Sequence, residues 1–529
     1  MTKTKLLLSL AALGMSLACA NTQAASPVAV SKNVNNKVYV HLMPWFEAKP
    51  YSGYWGGHWT MANRNPDVVD GSGRRQIASY HYPLIGPYAS ADPDVIEYQL
   101  LLMKLSGIDG ILIDWPGTTN AFDYVRNRQN AEAFIGKVAK VGLNFAVVYE
   151  DNNLTLANVG DKLGQARNDM AYLRDNYFNK PEYIKLNNRP LLLDFGPQTL
   201  QTAGDWSNAF SVLPTKPYFL TLWYEHAEAG ANSQGEFAWI YQDGAPYLTH
   251  LTNFYQNAPN YGVKMGAVAP GFNPFYQAGG WGSNGFVVDH NGLNTFKATL
   301  DLALNKNVSH IQIATWNDYG EGTDIEPTRE FGYGFLTYLQ QRLGVNLGQA
   351  DLELVNELFN QRKRFAGNAS EQARLNTVFD HFVSLQLGAA RSLLTGGTTP
   401  PPPGAWSTRI EAENYVTMAG MATEVCSEGG RNVGWVDGGD WMVWKLDLPS
   451  SGNYKVEYRV ASANASGVIR FEKAGATPIY GTIGVPNTGG WQNWQTISHT
   501  VALTAGQQEI AIYAPTGGYN INWIQLTRQ

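Results

Sequence analysis

The stretch His310–Pro327, HIQIATWNDYGEGTDIEP, begins like a β-strand and ends in a group of acidic residues. Its opening segment His310–Thr315 is rich in β-branched residues, which predicts a strand. Four carboxylates then follow within nine positions, among Trp, Tyr and Gly residues. A strand that delivers polar residues at its carboxyl end is typical of an active site on a parallel barrel.

Seven similar runs precede this stretch, separated by longer amphipathic segments such as Pro93–Ser106 and Leu293–Asn305. This alternation predicts βα repeats around a parallel sheet. Eight such units predict an α/β fold, a (β/α)8 TIM barrel with its active site at the carboxyl ends of the strands. The seven earlier strands are predicted at Val38–Met43, Ile108–Ile113, Asn144–Tyr149, Pro190–Asp194, Tyr218–Trp223, Phe237–Tyr241 and Lys264–Ala267.

A proline-rich segment at 395–405, TGGTTPPPPGA, predicts an extended linker between two domains. We therefore expect a barrel domain at 26–394 and a second domain at 406–529. The second domain has regularly spaced strands without helical periodicity, which predicts an all-β jelly-roll sandwich. Its strands are predicted at Trp441–Leu448, Tyr454–Ala461, Val468–Lys473, Gln495–Leu503, Gln508–Ala514 and Asn522–Thr527.

The composition excludes some classes of partner. The 529 residues include 38 Lys and Arg against 44 Asp and Glu, a net charge of −6 without a basic run, so a nucleic-acid partner is not expected. Only 16% of the residues are charged while 12% are aromatic. Such a mixture suits the stacking of aromatic rings on sugars, but a large aromatic core explains it equally well.

The amino terminus predicts export. Residues 1–25 have a charged start and an apolar run, Leu6–Ala18, that is too short to span a bilayer, as in a secretory signal peptide. We therefore expect a secreted, periplasmic or cell-surface protein that has no membrane partner and is a monomer. A lipid anchor at Cys19 is not expected, because Ser is a poor residue three positions before the cysteine. Cys426 is then the one cysteine of the mature chain, which leaves no intramolecular disulfide.

Asp318 and Glu321 are candidates for acid–base catalysis. If the chain turns helically after the strand, their i, i+3 spacing places their Cβ atoms about 5–6 Å apart. Two neighbouring carboxylates raise one pKa, so that a proton donor persists near neutral pH. Hydrolysis of a glycosidic bond needs such an acid and a second carboxylate. Glu150, after the third strand, is a further candidate; the alternative is that these groups cap a helix or bind a cation.

Other chemistries lack their motifs, since the sequence has no nucleophile elbow, phosphate loop or zinc-binding HExxH. Nothing in the sequence requires a metal or another cofactor in the barrel. Aromatic and polar residues near the strand ends are candidates for substrate binding, or else cover the end of the barrel: Trp115, His81, Trp223, Trp316, Asn317 and Tyr319.

The segment WNDYGEGTDIEP, together with VYVHLMPWF and GIDGILIDW, resembles the clan that joins glycoside hydrolase families 71 and 99. Family 99 contains retaining endo-α-mannosidases and mannanases. The resemblance implies that Glu321 is the acid/base residue and that Asp318 deprotonates the sugar 2-OH in a mechanism through a 1,2-anhydro intermediate. It also implies an active-site role for Glu150. Asp318 is one methylene shorter than the Glu of the family pattern, so an inverting mechanism with Asp318 or Glu150 as base, as in family 71, stays open.

Residues 409–528 closely resemble carbohydrate-binding module family 6, through RIEAENY, GGRNVGWVDGGDWMVW, TGGWQNWQT and GGYNINWIQL. The resemblance implies a sugar site formed by Trp435, Trp491 or Trp494, and Asn520. It also implies a structural calcium ion bound by Glu411 and Glu413, and carboxylates at alternating strand positions suit such an ion.

These features predict a polysaccharide-degrading glycoside hydrolase whose module holds it on its substrate. Two alternatives remain: a polysaccharide-binding protein with a non-catalytic barrel, and a lyase or transferase that uses the same pocket. The sequence does not choose the sugar, the linkage, or endo over exo action.

Overall fold

The computed structural model describes residues 25–257, 262–395, 407–448 and 451–529. Nearly all of the expected signal peptide, including Cys19, lies outside these residues, as does the linker after Thr395.

The first domain is a closed barrel of eight parallel strands. Strand β1 pairs with β2 on one side and with β9 on the other, and pairing of β3 with β5 closes the ring. The two-residue strand β4 pairs antiparallel with β5 and stands outside the ring. The structure therefore confirms the predicted (β/α)8 barrel. The strands are β1 Lys37–Leu42, β2 Gly110–Trp115, β3 Asn144–Tyr149, β4 Lys185–Leu186, β5 Arg189–Asp194, β6 Tyr218–Leu222, β7 Ser233–Phe237, β8 Val263–Val268 and β9 His310–Ile313.

Helices alternate with the strands around the barrel, and three more follow it. The first long helix, α3, begins where the Asp92 side chain accepts a hydrogen bond from the amide of Asp94, with Pro93 at the first helical position. The helices are α1 Lys49–Ser52, α2 Gly57–Thr60, α3 Pro93–Leu105, α4 Tyr124–Val141, α5 Asn153–Leu156, α6 Lys162–Asn176, α7 Ala203–Ala209, α8 His226–Ala229, α9 Tyr247–Asn257, α10 Tyr276–Gly279, α11 Asn294–Asn305, α12 Gly334–Leu343, α13 Gln349–Arg364, α14 Ala369–Val383 and α15 Leu387–Thr395.

Seven of the predicted barrel strands agree with the structure to within two residues at each end. The sixth prediction, Phe237–Tyr241, was wrong, because the strand is Ser233–Phe237. That strand, SQGEF, has few apolar residues and gives little signal. The apolar residues after it instead cover the end of the barrel, where Trp239 packs on His41 and Phe195 with ring centroids 4.8 and 5.0 Å apart.

The second domain is a sandwich of antiparallel strands with its own buried core, as predicted. One sheet has the order β12-β13-β20-β15-β18 with β10 beside β20, and the other has the order β11-β14-β19-β16-β17. All six predicted strands are present. The strands are β10 Ser407–Glu411, β11 Thr417–Ala419, β12 Ala422–Val425, β13 Arg431–Gly434, β14 Trp441–Leu448, β15 Gly452–Ser462, β16 Gly467–Lys473, β17 Ile479–Val485, β18 Gly490–Leu503, β19 Gly506–Thr516 and β20 Asn520–Arg528.

Within the described residues, no helix combines the length and the apolar character needed to cross a membrane.

Candidate active site

Four carboxyl groups come from β2, β3 and β9 at one end of the barrel, where β1 lies between β2 and β9. Asp114 lies in β2, Glu150 directly follows β3, and Asp318 and Glu321 follow β9. Trp115 packs outward against Tyr172 of α6, with ring centroids 5.9 Å apart. Since side chains alternate along a strand, Asp114 points into the barrel. The predicted strand-end site thus gains a fourth carboxyl group.

The segment after β9 forms a tight turn, so the helical geometry considered for the i, i+3 spacing is not present. The amide of Glu321 donates to Asp318 Oδ1 at 3.1 Å, and the amide of Thr323 donates to the Asp318 carbonyl at 3.1 Å. The Asp318 amide in turn donates to Thr315 Oγ1 at 2.8 Å. Asp318 is buried while Glu321 remains half-buried. The two carboxyls are neighbours as predicted, but a side-chain-capped turn brings them together.

The environment of Glu321 suits a proton donor near neutral pH. Burial raises the pKa of Glu321 to about 7, and the charge of Glu150 acts in the same direction. The Tyr276 hydroxyl donates to Glu321 Oε1 at 2.8 Å and partly offsets this rise. Burial, followed by the charge of Glu321, raises the pKa of Asp318 well above its usual range.

Asp114 and Glu150 share a hydrogen bond between their carboxyl groups. Burial and the neighbouring charge of Glu150 raise the pKa of Asp114 well above its usual range. Burial raises the pKa of Glu150 too, but hydrogen bonds from Asp114 and Asn153 oppose that rise. The shared hydrogen bond thus raises the pKa of Asp114 and lowers that of Glu150, which makes Asp114 the donor in this bond.

The other two acidic residues of the turn have structural partners. Glu326 is buried and accepts hydrogen bonds from the Tyr88 hydroxyl, the Gln99 amide and the Tyr319 hydroxyl at 2.7, 2.9 and 2.9 Å. Asp324 Oδ1 lies 2.9 Å from His81 Nδ1. These contacts fix the segment that carries Glu321.

In the second domain, two tryptophans offer exposed rings. Trp435 is 60% exposed and has a left-handed backbone, with φ of 53°, and Trp491 is 46% exposed. Trp494 is half-buried, and its Nε1 donates to Ser427 Oγ at 3.0 Å. The Asn520 amide is buried and donates to Glu424 Oε1 and to the Trp491 carbonyl at 2.7 and 2.8 Å. Asn520 thus fixes the start of β18, which presents Trp491.

The expected calcium ligands lie at the start of the second domain. Glu413 Oε2 is buried without a hydrogen-bond partner, while Oε1 accepts the Arg431 amide at 3.3 Å. Glu411 Oε1 pairs with Arg409 Nε at 2.8 Å. An unpartnered buried carboxylate oxygen fits a hard cation. Across the described ranges, no three His, Cys, Asp or Glu side chains are grouped as metal ligands, so backbone or amide oxygens have to complete such a site.

Comparison with protein families identifies the same two domains that the fold shows. Residues 33–344, more than half of the chain, match the model of glycosyl hydrolase family 99. The chain belongs to glycosyl hydrolase family 99. Residues 411–528 match the model of carbohydrate binding module family 6.

Relatives of each part cover only a portion of this chain. The glycoprotein endo-alpha-1,2-mannosidase of Xenopus laevis is 22% identical over 270 residues, which are 47% of this chain and 59% of that protein. The clotting factor G alpha subunit of Tachypleus tridentatus is 42% identical over 127 residues, 23% of this chain and 19% of that protein. This chain thus spans less than two thirds of either relative.

Solved structures resemble each part as well. The GH99 endo-alpha-mannosidase from Bacteroides thetaiotaomicron is 19% identical, with a TM-score of 0.47 and coverage of 60% of this chain and 98% of that one. The module CBM6cm-2 from Cellvibrio mixtus lichenase 5A, solved with cellotriose, is 46% identical, with a TM-score of 0.23 and coverage of 23% of this chain and 97% of that one.

Four of the expected substrate-binding residues in the family 99 barrel prove to be part of its core. Trp115, Trp316 and Tyr319 are fully buried. Asn317 is buried too, and its amide group bonds the backbone of Met43 in both directions, at 2.9 and 3.0 Å. These four side chains pack within the barrel in the structure, and their contact with a substrate stays a prediction.

Two further expected substrate contacts are largely buried in the structure. His81 is 7% exposed, and its Nδ1 is taken up by Asp324. Trp223 is 8% exposed and packs on Phe254 with ring centroids 5.7 Å apart. Both help to shape the end of the barrel.

Sequence reasoning missed Tyr276 and the role of Asp114. Tyr276 lies in the loop after β8, 45 residues before Glu321, so no local pattern connects them. Asp114 did carry a signal, as an acidic residue at a strand end, but its bond to Glu150 depends on the pairing of β2 with β3.

Proposed function

We propose that this chain is a secreted glycoside hydrolase that cleaves a polysaccharide, with Glu321 as general acid and Asp318 as base. The observation that carries the proposal is the half-buried Glu321 carboxyl, whose pKa of about 7 lets it hold a proton at neutral pH. A carboxylic acid of this kind protonates the leaving glycosidic oxygen as the bond breaks.

The base is assigned by two contrasting environments. Asp318 adjoins Glu321 and acts as the base when it is ionised, a form that the Glu321 amide favours by donating to Oδ1 and that burial opposes. In that role it removes a proton from the sugar 2-OH or from a water molecule. Glu150 is the competing base, because donors at Asp114 and Asn153 favour its ionised form. Comparison of Asp318→Asn with Glu150→Gln separates the two candidates, because replacement of the true base should cause the larger loss of turnover.

The substrate classes to test come from the relatives. A mannosidase similar to the barrel makes α-mannan the first polymer to examine. The module solved with cellotriose adds β-glucans. We propose that Trp435 and Trp491 stack on such a chain. We also propose that Glu411 and Glu413 bind a structural calcium ion, and that residues 1–25 direct export.

The experiment measures release of reducing ends by the mature chain on mannans, glucans, xylans, galactans and agars, with Glu321→Gln alongside. New reducing ends on one polymer, lost in Glu321→Gln, support the hydrolase and identify its linkage. Binding to a polymer without cleavage supports a non-catalytic binding protein. Unsaturated, ultraviolet-absorbing products indicate a lyase.

A further inference from the structure

We propose that Tyr276 is a positioning residue for the general acid: its hydroxyl occupies Glu321 Oε1, so that the acidic proton is held on Oε2 and presented to the substrate. The inference rests on the proposed function, since it takes Glu321 as the acid.

The contact itself is direct. The Tyr276 hydroxyl donates to Glu321 Oε1 at 2.8 Å. Burial, and then the charge of Glu321, raises the pKa of Tyr276 beyond the range in which a phenol ionises near neutral pH. Tyr276 is therefore a permanent donor, and it leaves the second oxygen of Glu321 as the site of the transferable proton.

The backbone fixes this contact on both sides. The Asn273 amide donates to the Glu321 carbonyl at 2.9 Å, and the Phe275 amide donates to the Gly320 carbonyl at 2.8 Å. The loop after β8 is thus held against the turn after β9 next to the reacting group. These two backbone hydrogen bonds therefore support the contact between the phenol and the carboxyl, which does not depend on side-chain conformation alone.

A small apolar cluster holds the tyrosine ring. Met61, Ala78 and Phe275 are buried together, and Tyr276 packs against them. The packing is close, because a Cβ on Gly279, in the same helix as Tyr276, would lie 2.1 Å from Met61 Sδ. A ring held in this way keeps its hydroxyl in place without first losing side-chain entropy.

The hydrogen bond also adjusts the strength of the acid. A phenol donates more strongly to a carboxylate than to a carboxylic acid, and it therefore stabilises the form left after proton transfer. It opposes the effect of burial and keeps the pKa of Glu321 near 7 instead of higher. Tyr276→Phe removes the bond and retains the ring, so the pKa of Glu321 should rise by roughly half to one unit.

The first test follows the protonation of Glu321 without a substrate. Infrared difference spectra against Glu321→Gln identify the C=O band of the protonated Glu321 carboxyl, and its intensity is titrated with pH. We expect the midpoint to move upward in Tyr276→Phe. The control is Tyr338→Phe, which removes a tyrosine hydroxyl that donates to Asp301 at 2.9 Å on the outer helices, and we expect no shift there. Equal midpoints in the wild type and Tyr276→Phe would overturn the proposal.

The second test uses kinetics on whichever polymer the panel identifies. In Tyr276→Phe we expect the alkaline limb of the pH profile of kcat to move to higher pH by the same amount as the infrared midpoint. We also expect kcat at pH 6 to fall several-fold while KM changes little. A lower kcat with an unmoved limb means that Tyr276 acts only through packing, which contradicts the proposal. If Glu321→Gln keeps full activity, the proposed function fails, whereas the infrared shift still decides the Tyr276 contact.

Discussion

At the scale of single residues, the chemistry depends on which carboxyl keeps a proton. Glu321 and Asp318 are predictable from sequence, because both lie in one short acidic segment after a strand. Their partners are not predictable in this way. The Tyr276 hydroxyl and the Asp114 carboxyl reach the site from other strands, and only the closed barrel brings them within hydrogen-bond distance.

Asp114 provides a test of the role of Glu150. In Asp114→Ala the donor to Glu150 is lost, and the pKa of Glu150 rises because only the hydrogen bond from Asn153 still opposes burial. If Glu150 is the base, the acid limb of kcat/KM moves upward by roughly half to one pH unit. Asp114→Asn should move the acid limb of kcat/KM less, because its amide keeps an N–H donor. An acid limb that is unchanged in both variants excludes Glu150 as the base.

At the scale of elements, strong β-branched runs located most barrel strands, whereas the polar strand Ser233–Phe237 was invisible beside the apolar residues after it. The conformation of the turn after β9 could not be predicted for a related reason. Its conformation is set by the Asp318 side chain capping the Glu321 amide, and by Glu326 bonding to Tyr88 and Gln99. Such side-chain contacts determine the conformation of the backbone, but they leave no periodic pattern in the sequence.

Glu326 should make the stability of the barrel depend on pH. Burial raises its pKa to about 7, above the value of an exposed Glu, so the folded state binds its proton more tightly than the unfolded state does. This contribution to stability is complete below about pH 4.5 and is lost as pH rises to about 7. Calorimetry at several pH values should show Glu326→Gln with a flatter dependence than the wild type. Equal slopes would contradict this assignment.

Removal of calcium should act on the second domain alone. In the proposed site, a chelator leaves Glu413 Oε2 buried and without a partner beside the charge of Glu411, which destabilises the folded sandwich. We expect the unfolding transition of that domain to fall in temperature while the barrel transition stays in place. In Glu413→Gln, the chelator should lower the unfolding temperature of the second domain much less than in the wild type. If the chelator leaves this transition of the wild type unchanged, the proposed calcium site is wrong.

At the scale of the whole molecule, the sequence indicated the two domains and their boundary through the proline-rich segment. It also indicated the families of both domains, because their motifs are local strings. The choice between Trp491 and Trp494 required the fold: Trp491 and Trp435 present their rings, whereas Trp494 is half-buried. A module joined to a catalytic domain raises the concentration of enzyme at an insoluble surface without changing the chemistry.

The double variant Trp435→Ala/Trp491→Ala should therefore no longer sediment with an insoluble polysaccharide. Its activity on that polysaccharide should fall several-fold. Activity on soluble fragments of the same polymer should be preserved, because the barrel is untouched. Trp281→Ala, an equally exposed tryptophan of the barrel at 47%, is the matched control for sedimentation. Undiminished sedimentation of the double variant would place polymer binding elsewhere.

The most direct test of the central claim is the pH dependence of reducing-end release by the full-length chain, from about pH 5 to 9, on the polymer it cleaves. Glu321 must be protonated to act as the acid, and its pKa is raised to about 7. We therefore expect a rate that falls roughly tenfold per pH unit above that value. A rate that stays constant or rises through pH 9 would contradict the assignment of Glu321 as general acid.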